Sequence, residues 1–135
     1  MRTILFLLFT VIIIHAEVID SVKVEVLAKS SKSWDGSILP FYPTGQPEVT
    51  ILKVTIPPHE KLEMHKHIII NAGIMLSGEL RVITEANDTL HLKAGNPIIE
   101  VVNKFHYGIN EGNVPVEIVV FYAGTSGTPL SIKKN

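Results

Sequence analysis

From Val49 to Tyr122 the chain is cut into short apolar runs by turn-forming residues, and that rhythm restricts it to β architecture. Val49 to Ile56 (VTILKVTI) alternates β-branched residues with others, the pattern of a strand with two unlike faces. Ile74 to Leu76 and Glu79 to Thr84 flank Ser77-Gly78, a pair suited to a tight hairpin turn. Glu85-Ala86-Asn87-Asp88 reads as a second turn before Thr89 to Leu92, and Lys93-Ala94-Gly95-Asn96-Pro97 as a third. Pro97 to Val102, Phe105 to Ile109 and Val116 to Tyr122 complete the set, separated by Asn103-Lys104 and by Asn110-Glu111-Gly112-Asn113. No helical period, internal repeat or low-complexity tract interrupts them. Short strands with turn signals at roughly 8–12-residue intervals predict an all-β sandwich or barrel.

The amino terminus has a different character. MRTILFLLFTVIIIHA carries one basic residue, Arg2, then a run from Ile4 to Ile14 that is apolar except for Thr10, then Ala16. This is the layout of a secretory signal peptide, and the run is shorter than the ~20 apolar residues a membrane span needs. Polar and charged residues from Glu17 onward favour cleavage after Ala16 over an uncleaved anchor. The expected organisation is a signal peptide over 1–16, an N-terminal segment and extended arm over 17–48, and a barrel over 49–135. A periplasmic or secreted location follows, with no stable membrane insertion after cleavage. In the arm, SSKSWDGSILPFYPTGQPE (residues 30–48) is rich in Ser, Gly and Pro, and Trp34, Phe41 and Tyr42 are expected to pack on the barrel as its apolar anchors.

Charge and cysteine content remove several functions. With 12 basic residues against 13 acidic ones in the whole chain, and no basic run longer than Lys133-Lys134, nucleic acid is not an expected partner. The absence of cysteine excludes disulfides, thiolate metal sites, a cysteine nucleophile and a lipobox anchor. Any metal must be held by imidazole, carboxylate or amide groups.

HKHIIINAGIMLSGEL (residues 65–80) holds the candidate chemistry. On a strand, alternate residues face one side, so His65 and His67 project together, about 6.6 Å apart along the backbone. A third imidazole from another strand would complete a site, and His106, in NKFHYGIN, is the candidate. A lone buried histidine is usually a hydrogen-bonded core residue, and an exposed His-x-His pair is ordinary polar surface. Here Ile68, Ile69 and Ile70 follow directly, which places the pair in a buried region, where unpartnered imidazoles are unfavourable.

These residues resemble the cupin superfamily. Its first motif runs Gly, five residues, His-x-His, three or four residues, Glu, six residues, Gly, and its second ends in His, three residues, Asn. His65, His67, Asn71 and Gly78 fall at the first motif's spacings, and Gly95, His106 and Asn110 at the second's. The chain is similar to small bacterial single-domain cupins of the type-2, quercetin-dioxygenase-like group, through PEVTILKVTIPP, INAG and EIVVFYAG. It departs from the motifs where His59 replaces the opening glycine, Asn71 the glutamate, Ile68 a proline, Asn96 an aspartate, Val101 a proline and Asn103 an inner glycine. Asn103 is a mild change, because Asn tolerates left-handed backbone.

The resemblance implies a double-stranded β-helix (jelly-roll) barrel, a small-molecule ligand or substrate, and a homodimer. It also implies a divalent metal ion (Fe, Mn, Zn, Ni or Cu) on His65, His67 and His106. Without the glutamate, the ion would keep its full formal charge and attract anions; Asn71 becomes either a hydrogen-bonding group behind the ligands or a weak fourth ligand. Some cupins retain such a pocket without metal. Imidazoles ligate only when deprotonated, so affinity is expected to fall below about pH 6.5. Three functions remain open: a metal-dependent oxidoreductase of dioxygenase type acting on a small organic substrate, a non-catalytic small-ligand-binding module, and a structural barrel that merely retains its histidines. Among the remaining polar groups, Glu63 and His59 are expected to be solvated, Tyr107 and Phe105 to face away from His106, Met75 to fill core, and Asn110 to close a turn. Asn87-Asp88-Thr89 is a glycosylation sequon if the source is eukaryotic.

Overall fold

The computed structural model describes residues 21–135, so the expected signal peptide lies outside the described residues. Among them the chain is all-β, with nine strands and no helix: β1 (Pro47–Ile56), β2 (His65–Lys66), β3 (Ile70–Ser77), β4 (Glu79–Thr84), β5 (Thr89–Lys93), β6 (Pro97–Ile99), β7 (His106–Ile109), β8 (Val116–Thr125) and β9 (Ile132–Lys133). They form two antiparallel sheets, a four-stranded one ordered β1-β8-β3-β6 and a five-stranded one ordered β5-β4-β7-β2-β9. This is the all-β architecture that the turn rhythm predicts, in the jelly-roll arrangement that the resemblance implies.

Period-two alternation decides which residues face inward. Along β3 the buried positions are Asn71, Gly73 and Met75, and along β8 Val116, Ile118 and Tyr122. With Ile56, Leu80, Val82, Leu92 and Ile98 the apolar members of this set form one core between the sheets. Fully burying each such aliphatic side chain is worth roughly 1.5–3 kcal/mol. The opposite face of β1 and β8 leaves Val49, Ile51 and Phe121 exposed, and β1, which pairs only with β8, forms an edge ten residues long.

Ser77-Gly78 does not close a hairpin. β3 pairs with β6 and β8, while β4 pairs with β5 and β7, so the two residues carry the chain from one sheet to the other. A left-handed glycine suits this corner as well as a hairpin, which is why local turn chemistry pointed to the wrong connection. The turn at Asn87 (φ 68°) does close a hairpin, between β4 and β5. Pro97–Ile99 is shorter than the expected strand and β8 is longer.

Of the arm's aromatic residues only Trp34 packs on the core; Phe41 is 99% and Tyr42 73% exposed, so the expectation that they anchor the arm is overturned. Polar contacts hold the arm instead: Lys104 Nζ reaches Asp35 at 2.5 Å, and the Trp34 amide donates to the Ile99 carbonyl at 2.9 Å.

Gly78 sits at φ +76°, and a Cβ there would lie 2.9 Å from both the Pro115 carbonyl oxygen and Val116 Cγ2. Gly95, at φ +84°, would meet nothing within 4 Å. Gly95→Ala should therefore show only left-handed strain, about 1 kcal/mol, whereas Gly78→Ala should lose about 2–4 kcal/mol because backbone must also move. Urea denaturation of the two variants tests the difference; equal losses would refute the packing role of the corner.

Candidate metal centre

Three short segments bring the imidazoles together. His65 on β2 pairs directly with His106 on β7, which makes them cross-strand neighbours on one face. His67, two residues on from His65, shares that face and is held by a parallel bridge to Val102. The ring centroids are 4.6 Å apart for His65–His106, 5.0 Å for His67–His106 and 5.1 Å for His65–His67. One nitrogen from each ring lies within 4.8 Å of the others. The expected convergence of residues 65, 67 and 106 is present.

The hydrogen bonds behind the rings choose their tautomer. Nδ1 of His65 lies 2.7 Å from the Glu63 carbonyl oxygen, Nδ1 of His67 2.8 Å from that of Leu130, and Nδ1 of His106 3.0 Å from that of Lys104. A carbonyl oxygen can only accept, so in each ring Nδ1 carries the hydrogen and Nε2 keeps its lone pair. Three Nε2 lone pairs are thereby left for a common centre, the arrangement that a divalent cation accepts.

Burial keeps two of the rings, those of His67 and His106, uncharged. His67 and His106 are 6% and 2% exposed, and desolvation lowers each to about 4, with neighbouring imidazoles acting in the same direction. Their carbonyl acceptors oppose the shift without cancelling it. Protons therefore compete for these two rings only near pH 4.

The rings line a cavity of about 160 Å³. Its walls are apolar, including Val54, Ile56, Leu62, Val82, Ile118 and Val120; Asn71, Glu100, Tyr122 and Ser131 add polar groups. Asn71 is 2% exposed and its Nδ2 has no hydrogen-bond partner, leaving a donor unpaired beside the three rings. Tyr122 meets His67 edge-on, with centroids 5.4 Å apart.

The remaining candidates fall where the sequence put them, with one omission. Glu63 is exposed and ion-paired with Lys133, and His59 is exposed at φ 61°, a left-handed position matching the motif's glycine. Tyr107 lies under Lys61 and Phe105 under Lys66, away from the rings. Met75 is in the core. Asn110 closes its turn, Nδ2 donating to Ile56, Pro57 and Val114 carbonyls. The omission is Glu100, 8% exposed in the same cavity. Its signal was a carboxylate set among four apolar residues in IIEVV, with the inward parity of Ile98.

A family model described as a cupin domain matches residues 52–122, more than half of the chain, and the protein belongs to the cupin family. No curated protein matches it. Among solved structures it is similar to an oxalate oxidase in complex with the substrate analogue glycolate (22% identity, TM-score 0.54, covering 63% of this chain and 45% of the other). It is also similar to the DMSP lyase DddQ from Ruegeria pomeroyi (17%, 0.56, 64% and 43%) and to a Bacillus subtilis oxalate decarboxylase variant (21%, 0.55, 63% and 23%). The chain spans less than half the length of each. At these identities the likeness shows the shared fold; the three-histidine cluster itself identifies a divalent-metal-binding cupin site.

In the metal-free protein the unfolded rings take up protons as pH falls through 6.5, while folded His67 and His106 remain neutral to about 4. Stability should fall with pH across that window, by about 2–3 kcal/mol per ring between pH 7 and 4.5. Glu100, whose carboxyl is raised chiefly by burial, acts oppositely, weakening the fold as pH rises above its ordinary value of 4.5. Urea denaturation of the metal-free protein and of His67→Asn at the two pH values separates the contributions. The variant should lose less stability on acidification, and an unchanged loss would mean that the ring is not held neutral.

Proposed function

We propose that the protein is a metal-dependent cupin enzyme of oxygenase type, acting on a small organic substrate at His65, His67 and His106. The single observation that carries this reading is the backbone carbonyl behind each Nδ1, which leaves three Nε2 lone pairs for one centre in a largely apolar cavity. A structural barrel has no use for three rings set in one tautomer. When bound, a divalent ion supplies a Lewis acid with positions open to substrate and a co-reactant. The chain's own groups do the rest: the rings hold the ion, the aliphatic walls exclude water, and the unpaired Nδ2 of Asn71 is a donor for a substrate oxygen.

The cavity bounds the substrate. A space of about 160 Å³ is close to the ~150 Å³ that accommodates benzene, so a molecule of a few heavy atoms fits and a drug-sized one does not. The similar solved structures named for oxalate, glycolate and DMSP support a substrate of that scale. The amino-terminal Arg2 and apolar run support action in the periplasm or outside the cell.

Elemental analysis of the purified protein should find about one divalent transition metal per chain, and His65→Ala and His106→Ala should each reduce it severalfold. The protein loaded with Fe(II) should then consume oxygen with some member of a panel of small carboxylic acids and polyols. Thermal stabilisation by a panel member without turnover would assign the non-catalytic binding module instead. No metal, together with unchanged melting of the two variants, would exclude both.

The same reading includes a homodimer. The exposed Val49, Ile51 and Phe121 on the β1 edge form a face suited to a second copy. Light scattering should give twice the chain mass, and Ile51→Glu should give a monomer; a monomeric wild type would reject the dimer.

A further inference from the structure

Among the described residues Glu100 is the one carboxylate in the cavity, and its two oxygens are treated differently. Oε1 accepts hydrogen bonds from Trp34 Nε1 and from the Val101 amide, both at 2.8 Å. Oε2 has no donor among the described residues and stands 3.7 Å from Nε2 of His106. That distance is too long for a hydrogen bond. It is near the separation of two ligands each about 2.0–2.2 Å from one ion, although among the described residues only the three imidazoles have ligand atoms all within 4.8 Å of one another, so the carboxylate must swing toward the rings to share their ion.

A buried carboxyl with one oxygen unpaired is stabilised in its charged form by a facing cation. Among the described residues no lysine or arginine lines the cavity. The cation the carboxylate needs is the one the imidazoles are set to bind. Resting on the metal site proposed above, we propose that Glu100 Oε2 is its fourth protein ligand. Trp34, reaching in from the arm, is a positioning residue that fixes the carboxylate through Oε1. Asn71 is then free to act as a hydrogen-bond donor.

The neighbouring strands explain how the carboxylate reaches the site. The Glu100 amide donates to the Asn71 carbonyl at 3.1 Å, directly after the paired residues Ala72 and Ile99. Residues 71 and 100 are therefore lateral neighbours lining one cavity, and a carboxylate can approach the same centre from either. With Glu100 as a ligand, one unit of the ion's formal charge would be removed, and the site would attract anions less strongly than three imidazoles alone.

The test measures binding of Co(II) and Mn(II) to the purified full chain by competition with a chelator, together with the visible absorption of the Co(II) form. Glu100→Gln should weaken both metals at least tenfold and change the Co(II) spectrum, whereas Asn71→Ala should change affinity less than threefold. Trp34→Phe should fall between them. Asn71→Glu in the Glu100→Gln background should recover affinity by returning a carboxylate from the adjacent strand. Melting of the metal-free forms controls for folding, since Glu100→Gln removes a buried charge and should melt no lower than wild type. Wild-type affinity and spectrum in Glu100→Gln, with binding lost in His106→Ala, would overturn this inference and leave the three-histidine site standing. Failure of the wild type to bind either ion would overturn both.

Discussion

A backbone carbonyl behind each imidazole is the constraint on which the site depends. An imidazole free to rotate offers either nitrogen, and three such rings would seldom present their lone pairs to one point. Here His65 and His106 repeat one local device, Nδ1 to the carbonyl two residues before, while His67 uses a distant carbonyl, that of Leu130. The β2–β7 pairing sets the first two rings side by side, and the carboxy-terminal segment turns the third toward them. Burial between the sheets then keeps His67 and His106 in the neutral form that can ligate. Tautomer and direction are settled before any ion arrives, so little reorganisation is left to oppose binding.

Much of this was legible in the residues because period-two alternation is a strong signal. VTILKVTI became β1, the Asn87 turn became a hairpin, and the parity of His65 with His67 put two rings on one side. Asn103, read as tolerant of left-handed backbone, adopts φ 59°. What failed was long-range information. Ser77-Gly78 has the chemistry of a reversal, yet whether a reversal stays within a sheet or crosses to the other depends on packing many residues away. Phe41 and Tyr42 are apolar enough to anchor an arm, but the anchors in use are Trp34 and the Lys104–Asp35 pair. Glu100 was obscured by reading Pro97 to Val102 as an ordinary apolar strand, although an inward carboxylate in such a strand needs a partner.

The arm is consequently more than a cover. Among the described residues Trp34 is the arm's apolar contact with the core and also a donor to Glu100, so arm docking and the placement of the buried carboxylate are a single event. The hydrogen bond spans 66 residues of sequence. A change that loosens residues 31–39 is felt inside the cavity without touching any histidine.

The carboxy-terminal segment has a comparable double duty with the opposite sense. Leu130 supplies the acceptor for His67, Ser131 lines the cavity, and β9 pairs with β2 beside His65. Displacing this segment would widen the way in and, in the same motion, release His67 to spin about its bond to the backbone. Admission of a guest and retention of the ion therefore pull against each other, and the barrel can open there only by relaxing its hold on what lies within.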